Sequence, residues 1–192
     1  PWGWPSAASR CPPSAACAPA PGDDARPAPI AREPVTADQP GAEPCPCGRG
    51  LPYPDCCGRW HARHAADGTL AAPTAEDLMR SRYTAFALLV ATDHDDGART
   101  AAAMVAYLRA TWAAETRPSA ADLTPSPGDP APRFTRLAVT DTTGGGPFDT
   151  VGTVAFTALG RDASGAHVRL TEHSRFRRED GVWRYVDGDV AG

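Results

Sequence analysis

The pattern of apolar and polar residues divides the chain into a helical part and a strand-rich part. From about residue 73, apolar residues recur at intervals of three and four, which is typical of helices with one packed face. After residue 132 the interval changes to two, which is typical of half-buried strands. Residues 1–43 show neither period. Helices followed by consecutive strands indicate the α+β class.

Two helices are predicted in the first part. The first begins with Thr74 as its cap and Asp77 in its first turn, and the polar segment 92–97 ends it. The second carries apolar residues at helical spacing: Met104, Val105, Leu108 and Trp112. It is expected to stop near Pro118, and a short helical turn is predicted at 120–123.

Four strands separated by glycine-containing turns are predicted in the second part. Their ranges are 133–140, 150–159, 166–177 and 182–187. Consecutive strands with short turns are expected to pair as an antiparallel meander. One face of the third strand carries Val168, Leu170, Glu172, Ser174 and Phe176. That face is expected to point toward the core, because alternate side chains of a strand share a side.

Composition and charge narrow the functional class. The net charge of −4 argues against broad binding to nucleic acid or to anionic membranes. No apolar run approaches the roughly 20 residues that a membrane-spanning helix needs, and the N-terminus lacks the apolar core of a signal peptide. We therefore expect a cytoplasmic protein without membrane association.

The segment 1–43 is crowded with proline and alanine and predicts a disordered tail. Two of the six cysteines, Cys11 and Cys17, lie in it without flanking glycine turns, and we expect them to be free thiols. In the cytoplasm, cysteines hold metals or stay reduced more often than they form disulfides.

The segment 44–60 concentrates the other four cysteines in two tight pairs: Cys45 with Cys47, and Cys56 with Cys57. Structural zinc is held by four ligands at tetrahedral corners, and two turns with two thiolates each supply them. Adjacent cysteines rarely bridge each other. The segment is too short for its own core, so metal binding would supply its folding free energy, about 10 kcal/mol. The spacing predicts a structural Zn²⁺ knuckle without an open catalytic position.

Other interpretations of the cysteine pattern stay open. His61 or His64 could replace one thiolate, an iron–sulfur cluster could replace zinc, and the cysteines could be reduced thiols in a loop. The arginines near the knuckle, Arg49, Arg59 and Arg63, suggest RNA binding, because zinc knuckles do bind RNA. The acidic net charge disfavours that interpretation.

The knuckle sequence, CPCGRGLPYPDCCG over 45–58, resembles the SEC-C zinc motif, named for the C-terminal tail of the SecA translocase motor. Further segments extend the resemblance: 78–83, 107–112, 152–156, 172–176 and 183–188. Together they are similar to the YchJ-like family, also called UPF0225, over residues 44–189.

The resemblance implies an N-terminal SEC-C motif followed by an NTF2-like cone, in which helices pack on a curved antiparallel sheet. The expected organisation is a tail over 1–43, a zinc knuckle over 44–60, a linker over 61–72 and an NTF2-like domain over 73–190. Since the SEC-C module of the translocase contacts protein partners, the resemblance also implies docking of a protein partner. Homodimerisation through the sheet face is a further expectation.

The chain departs from the family pattern in two places. An acidic, alanine-rich insertion covers about 91–103, and Ala113 stands where relatives often have histidine after the Thr-Trp pair. The second departure removes a candidate catalytic histidine, and no catalytic residue is assigned.

An NTF2-like cone often encloses a pocket, and Glu172 is the most informative candidate to line it. Its carboxylate shares the inward strand face, so it should be paired or protonated. A bridge to Arg80 or Arg82 is one interpretation, and a pocket acid with a raised pKa is the other. The candidate pocket residues are Glu172, Arg82, Tyr83, Trp112, Ser174 and Trp183. Core packing is the competing interpretation for the tryptophans.

Two functional classes follow from these patterns. The favoured hypothesis is a non-enzymatic zinc adaptor whose knuckle docks a protein partner. The alternative is a small-molecule enzyme or ligand-binding protein that uses the cone pocket with Glu172. A cavity of several hundred Å³ beside Glu172 favours the alternative, whereas a filled cone with Glu172 bridged to Arg82 opposes it.

Overall fold

In the computed structural model, four helices precede four strands within the described residues, 43–90, 97–124 and 131–191. The helices are α1 (Gly58–Asp67), α2 (Ala75–Val90), α3 (Gly97–Ala110) and α4 (Ala120–Leu123). The strands are β1 (Arg133–Gly144), β2 (Val151–Arg161), β3 (His167–Glu179) and β4 (Val182–Ala191). This order confirms the predicted α+β class. The predicted tail lies outside the described residues, apart from Glu43.

The four strands form one antiparallel sheet in the order β1-β2-β3-β4, which confirms the predicted meander. The β3–β4 turn is Asp180-Gly181, where both residues have positive φ, 49° and 80°. This conformation matches the twist of a two-residue hairpin. The register shifts within β1, and again between Arg175 and Phe176 where β3 pairs with β4. Such bulges bend strands, which favours a curved sheet.

Helix α2 packs against the sheet on one side and against α1 and α3 on the other. Its predicted start is confirmed, because the Asp77 backbone N–H donates to the Thr74 hydroxyl oxygen at 3.0 Å. One core cluster joins α2 to the sheet and consists of Ala75, Leu78, Met79, Tyr83, Leu137, Val154, Phe156, Ala158, Phe176 and Trp183. A second joins it to α3 and consists of Ala85, Leu89, Met104, Val105, Tyr107 and Leu108. Two packed faces make α2 the central element of the fold.

The second predicted helix, α3, ends at Ala110 and not near Pro118. The chain beyond it pairs with β4: Ala113 N–H donates to the Tyr185 carbonyl at 2.8 Å, and Tyr185 N–H donates to the Thr111 carbonyl at 2.9 Å. These bonds to the sheet take the place of the next helical turn, so Trp112 lies just outside the helix.

The predicted linker over 61–72 is wrong for residues 61–67, because these residues belong to helix α1. Gly68 caps the C-terminus of this helix: its φ of 77° suits glycine, and its N–H donates to the His64 carbonyl. Only Trp60 and His61 are buried among its side chains. Two buried positions are too few to give a helical period in the sequence.

Candidate metal centre and cavity

Two turns bring the four predicted ligands, Cys45, Cys47, Cys56 and Cys57, together. Their Sγ atoms all lie within 4.8 Å of one another, and Cys47 and Cys56 are 3.4 Å apart. A tetrahedral ion with Zn–S bonds of about 2.3 Å separates its sulfurs by about 3.8 Å. The four residues are between 0 and 4% exposed. The set therefore fits one enclosed metal ion.

The backbone around the cysteines explains how so short a segment folds. Gly48 and Gly50 have positive φ, 78° and 77°, which turns the chain back after the first cysteine pair. Cys45 N–H then donates to the Leu51 carbonyl at 2.9 Å. The second pair follows a single 3₁₀ turn, Tyr53–Asp55, and Cys57 is the N-cap of α1.

Neither histidine near the knuckle belongs to the metal-binding group. His61 is buried, and its two ring nitrogens lie 2.9 Å from the Tyr53 hydroxyl and 3.1 Å from the Ser81 carbonyl oxygen. Burial lowers the pKa of His61 to about 4, so the ring is neutral at neutral pH. A carbonyl only accepts, so Nε2 carries the proton and Nδ1 accepts from Tyr53. His64 packs edge-on against Tyr107.

The thiols influence one another's protonation. Burial raises the pKa of Cys56 to about 12, with a further contribution from the neighbouring thiols. Hydrogen bonds to Cys45 and Cys47 raise the pKa of Cys57, and hydrogen bonds from Cys47 and Cys57 lower that of Cys45. A metal ion must displace the remaining protons, because thiolates are the ligands.

The knuckle is bound to α2 along one face of that helix. Arg80 donates from Nη1 to the Cys47 carbonyl at 2.9 Å. Arg49 forms an ion pair with Asp77 at 2.5 Å. The Cys45 sulfur lies 3.7 Å from the Thr84 hydroxyl. Together with the bond from α1 to the Ser81 carbonyl, these contacts make the metal centre part of the helical layer.

The arginines around the knuckle are partly engaged by the protein itself. Arg49 pairs with the acidic first turn of α2, and the Arg59 guanidinium lies 4.5 Å from the centroid of the Trp60 ring. Neutralised and stacked arginines offer little charge to phosphate groups, so this geometry gives no support to RNA binding.

A cavity of about 420 Å³ lies between α2, α4 and the sheet. Its wall is largely apolar, and its rim includes the exposed residues Asp122 and Thr124 at α4. Five of the six predicted pocket residues line it: Glu172, Arg82, Tyr83, Trp112 and Ser174. The wall also contains aromatic residues that are not in the predicted pocket set: Phe86, Phe134, Phe156 and Phe176.

Trp183, the sixth predicted pocket residue, is not among the residues that line the cavity. It is 1% exposed in the core between α2 and the sheet, and its Nε1 donates to the Pro73 carbonyl at 3.1 Å. Tyr185 shares its strand face and does line the cavity. The two residues contact different parts of α2: Trp183 packs at the beginning of the helix, whereas Tyr185 lies beside Arg82.

Arg82 is a buried cation in the cavity wall, with 5% of its surface exposed. Its guanidinium lies between two rings, 4.2 Å from the centroid of Trp112 and 4.3 Å from that of Tyr185. Its Nη1 donates to the Leu108 carbonyl at 3.1 Å and to the Thr111 hydroxyl at 2.7 Å. Burial lowers the pKa of Arg82 to about 10, which leaves it charged at neutral pH.

Glu172 is held by hydroxyl groups and not by an arginine. Its Oε1 accepts from the Ser174 hydroxyl at 2.7 Å and from the Tyr185 hydroxyl at 2.9 Å. The predicted bridge to Arg80 or Arg82 is wrong, because Arg80 bonds to Glu76 and the knuckle, and Arg82 is turned toward α3.

Gly188 leaves room for the carboxylate. A Cβ there would collide with the Glu172 side chain.

An antiparallel meander covered by helices, with a cavity between the layers and a cysteine knuckle at its N-terminal side, defines an NTF2-like protein with a SEC-C-like motif. Residues 98–188 match the family described as YchJ, middle NTF2-like domain. The solution structure of a SEC-C motif containing protein from Rhodopseudomonas palustris has 29% sequence identity and a TM-score of 0.59. That similarity covers 78% of this chain and all of that one.

Curated relatives are similar over most of their length. A UPF0225 protein of Streptomyces coelicolor is 47% identical over 146 residues, which are 76% of this chain and 94% of the relative. A UPF0225 protein of Corynebacterium glutamicum is 45% identical over 147 residues, 76% of this chain and 96% of the relative. The chain belongs to the UPF0225, YchJ-like family. Among the described residues, no helix is both long and apolar enough to span a membrane.

Proposed function

We propose that this protein binds a small, mostly apolar ligand in the NTF2-like cavity, and that a zinc ion fixes the helix that lines it. The observation that carries the proposal is the cavity of about 420 Å³, whose largely apolar wall includes the charged side chains of Arg82 and Glu172. Ligand sites in proteins typically have volumes of about 300–1,000 Å³, apolar linings and a few placed polar groups.

Zinc is the metal that the ligand set favours. Four thiolates at tetrahedral spacing suit a single Zn²⁺ ion. A multinuclear iron–sulfur cluster places irons and sulfides between the cysteines and needs wider spacing than the 4.8 Å limit here. The four cysteines are free of disulfides. Reduced thiols persist in the cytoplasm, so a cytoplasmic location belongs to the proposal.

The metal would have a structural role. Protein thiolates would fill all four coordination positions, so none remains for a substrate or for water. Helix α2 links the metal centre to the cavity, because Arg80 and Thr84 contact the knuckle while Met79, Tyr83 and Phe86 line the cavity. A metal ion that holds the knuckle in place would therefore also hold the α2 residues that line the cavity.

The cavity can be tested with N-phenyl-1-naphthylamine, an uncharged dye that fluoresces in apolar surroundings. The wild-type protein is expected to bind it with an increase and a blue shift of emission. Leu170→Trp, which places a larger ring in the cavity wall, is expected to weaken binding by about tenfold or more. The matched control is Leu159→Trp on the same hairpin, since Leu159 is 40% exposed and does not line the cavity.

Two outcomes would contradict the proposal. One is a folded wild-type protein that leaves the dye's emission unchanged. The other is equal dye affinity in Leu170→Trp and Leu159→Trp, which would place the dye outside the cavity.

Docking of a protein partner by the knuckle is the second candidate function. Leu51, at the tip of the knuckle, is 49% exposed although it is apolar. If the knuckle is an adaptor, Leu51→Asp is expected to reduce partner recovery in crosslinking pull-downs while zinc content and dye binding stay unchanged. The matched control is Leu159→Asp on the sheet. Equal recovery of the same partners by both variants would remove the support for an adaptor role.

A further inference from the structure

The cavity contains a cation with unused hydrogen-bond donors. Among the described residues, every hydrogen bond of Arg82 starts from Nη1. The Nε–H and Nη2–H groups of its guanidinium therefore have no protein acceptor, although an arginine offers five N–H donors in a fixed plane. A ligand that presents an oxygen acceptor to Arg82 would use these donors.

The same cavity contains an anion with an unused acceptor. Both hydrogen bonds to Glu172 end on Oε1, from the Ser174 and Tyr185 hydroxyls. Among the described residues, Oε2 receives no donor, although an ionised carboxylate accepts at both oxygens. A ligand that presents an N–H donor to Glu172 would complete its hydrogen bonding.

Tyr185 contacts both groups. Its ring lies 4.3 Å from the Arg82 guanidinium carbon, and its hydroxyl donates to Glu172. The unused donors and the unused acceptor therefore belong to two groups that both adjoin Tyr185 in the cavity wall. Apart from Asp122 and Thr124 at the rim, the remaining wall is mostly apolar and aromatic, with Phe134 and Phe176 among its residues.

Charge balance disfavours charged head groups. A ligand carboxylate would be attracted by Arg82 but repelled by Glu172. A ligand ammonium would be attracted by Glu172 but repelled by Arg82. Coulomb energies are large where water is excluded, so each conflict weakens binding. An uncharged planar group with an oxygen acceptor beside an N–H donor meets neither repulsion.

We propose that the cavity takes a ligand with an apolar body and an uncharged carboxamide head, as in an amide, a lactam or a urea. The head carbonyl accepts from Arg82 and the head N–H donates to Glu172. This inference rests on the proposed ligand-binding function and adds the chemical class of the ligand.

The test compares three probes that share one phenylpropyl tail: 3-phenylpropanamide, 3-phenylpropanoate and 3-phenylpropylammonium. Their affinities for the full-length wild-type protein are measured by isothermal titration calorimetry at pH 7.5 and one salt concentration. The amide is expected to bind at least about tenfold more tightly than either charged probe. A carboxylate or an ammonium that binds as tightly as the amide would overturn the inference.

A charge-removing variant gives a second readout on the same probes. Glu172→Gln keeps the shape of the side chain and removes the repulsion of the carboxylate probe. The ratio of carboxylate affinity to amide affinity is therefore expected to rise by about tenfold or more. Asp141→Asn, an exposed acid on β1 that does not line the cavity, is the matched control and should leave the ratio unchanged.

The outcomes separate this inference from the proposed function. Dye binding in the cavity without an amide preference overturns the carboxamide inference alone. Failure of the dye and of all three probes to bind a folded protein overturns both. An unchanged affinity ratio in Glu172→Gln also overturns the inference, because a purely structural Glu172 would not set the preference between the probes.

Discussion

Replacing Cys45 and Cys47 together by serine is expected to remove the zinc ion and to destabilise the NTF2-like domain along with the knuckle. Structural zinc supplies about 10–16 kcal/mol in small zinc modules, which is comparable to the 5–15 kcal/mol that typically stabilises a whole domain. Because the knuckle is bound to α2, only part of this loss can remain local. We expect the thermal midpoint to fall by at least about 10 °C.

Elemental analysis and circular dichroism check this result. The wild-type protein should contain one zinc per chain and the variant none. The matched control is Cys11→Ser with Cys17→Ser, two cysteines of the N-terminal segment that lie outside the described residues. This control should keep both zinc and thermal midpoint. A zinc-free Cys45→Ser, Cys47→Ser protein that melts like the wild type would contradict the structural role of the metal.

Trp183→Ala is the second substitution with a large expected effect. The indole is 1% exposed, donates to the Pro73 carbonyl and packs at the beginning of α2. Truncating a buried tryptophan to alanine typically costs about 3–5 kcal/mol, because a cavity replaces the ring. Urea denaturation should show this loss in the free energy of unfolding.

A comparison with Trp183→Phe separates stability from ligand binding. Phenylalanine keeps most of the packing and removes the hydrogen bond to Pro73, so the expected cost is about 1–3 kcal/mol. Since Trp183 does not line the cavity, Trp183→Phe should bind the naphthylamine dye like the wild type. Loss of dye binding at unchanged stability would show instead that this ring belongs to the ligand site.

Regular patterns in the sequence predicted most of the fold, and the exceptions have physical reasons. The capped start of α2 and the period-two strands were predictable because capping and alternation act locally. The strand ends at 141–144 and 188–191 were missed. They belong to the edge strands β1 and β4, where backbone pairing continues without apolar alternation. Helix α1 was missed because it buries so few side chains.

The two candidate sites differed in how far the sequence could define them. The four candidate metal ligands form two tight pairs within 13 residues of sequence, 45–57, so spacing alone indicated the set. The polar groups of the cavity depend on how α2 packs between the sheet and α3. Tertiary packing turns Arg82 toward Leu108 and leaves Glu172 to the Ser174 and Tyr185 hydroxyls. No local pattern in the sequence indicates these hydrogen-bond partners.

The most direct test of the link between metal and cavity is hydrogen–deuterium exchange before and after zinc is removed with a chelator. We expect amides of α2, residues 75–90, to lose protection together with those of the knuckle, since Arg80, Ser81 and Thr84 hold the two together. Faster exchange confined to residues 45–57, with α2 as protected as before, would contradict the account.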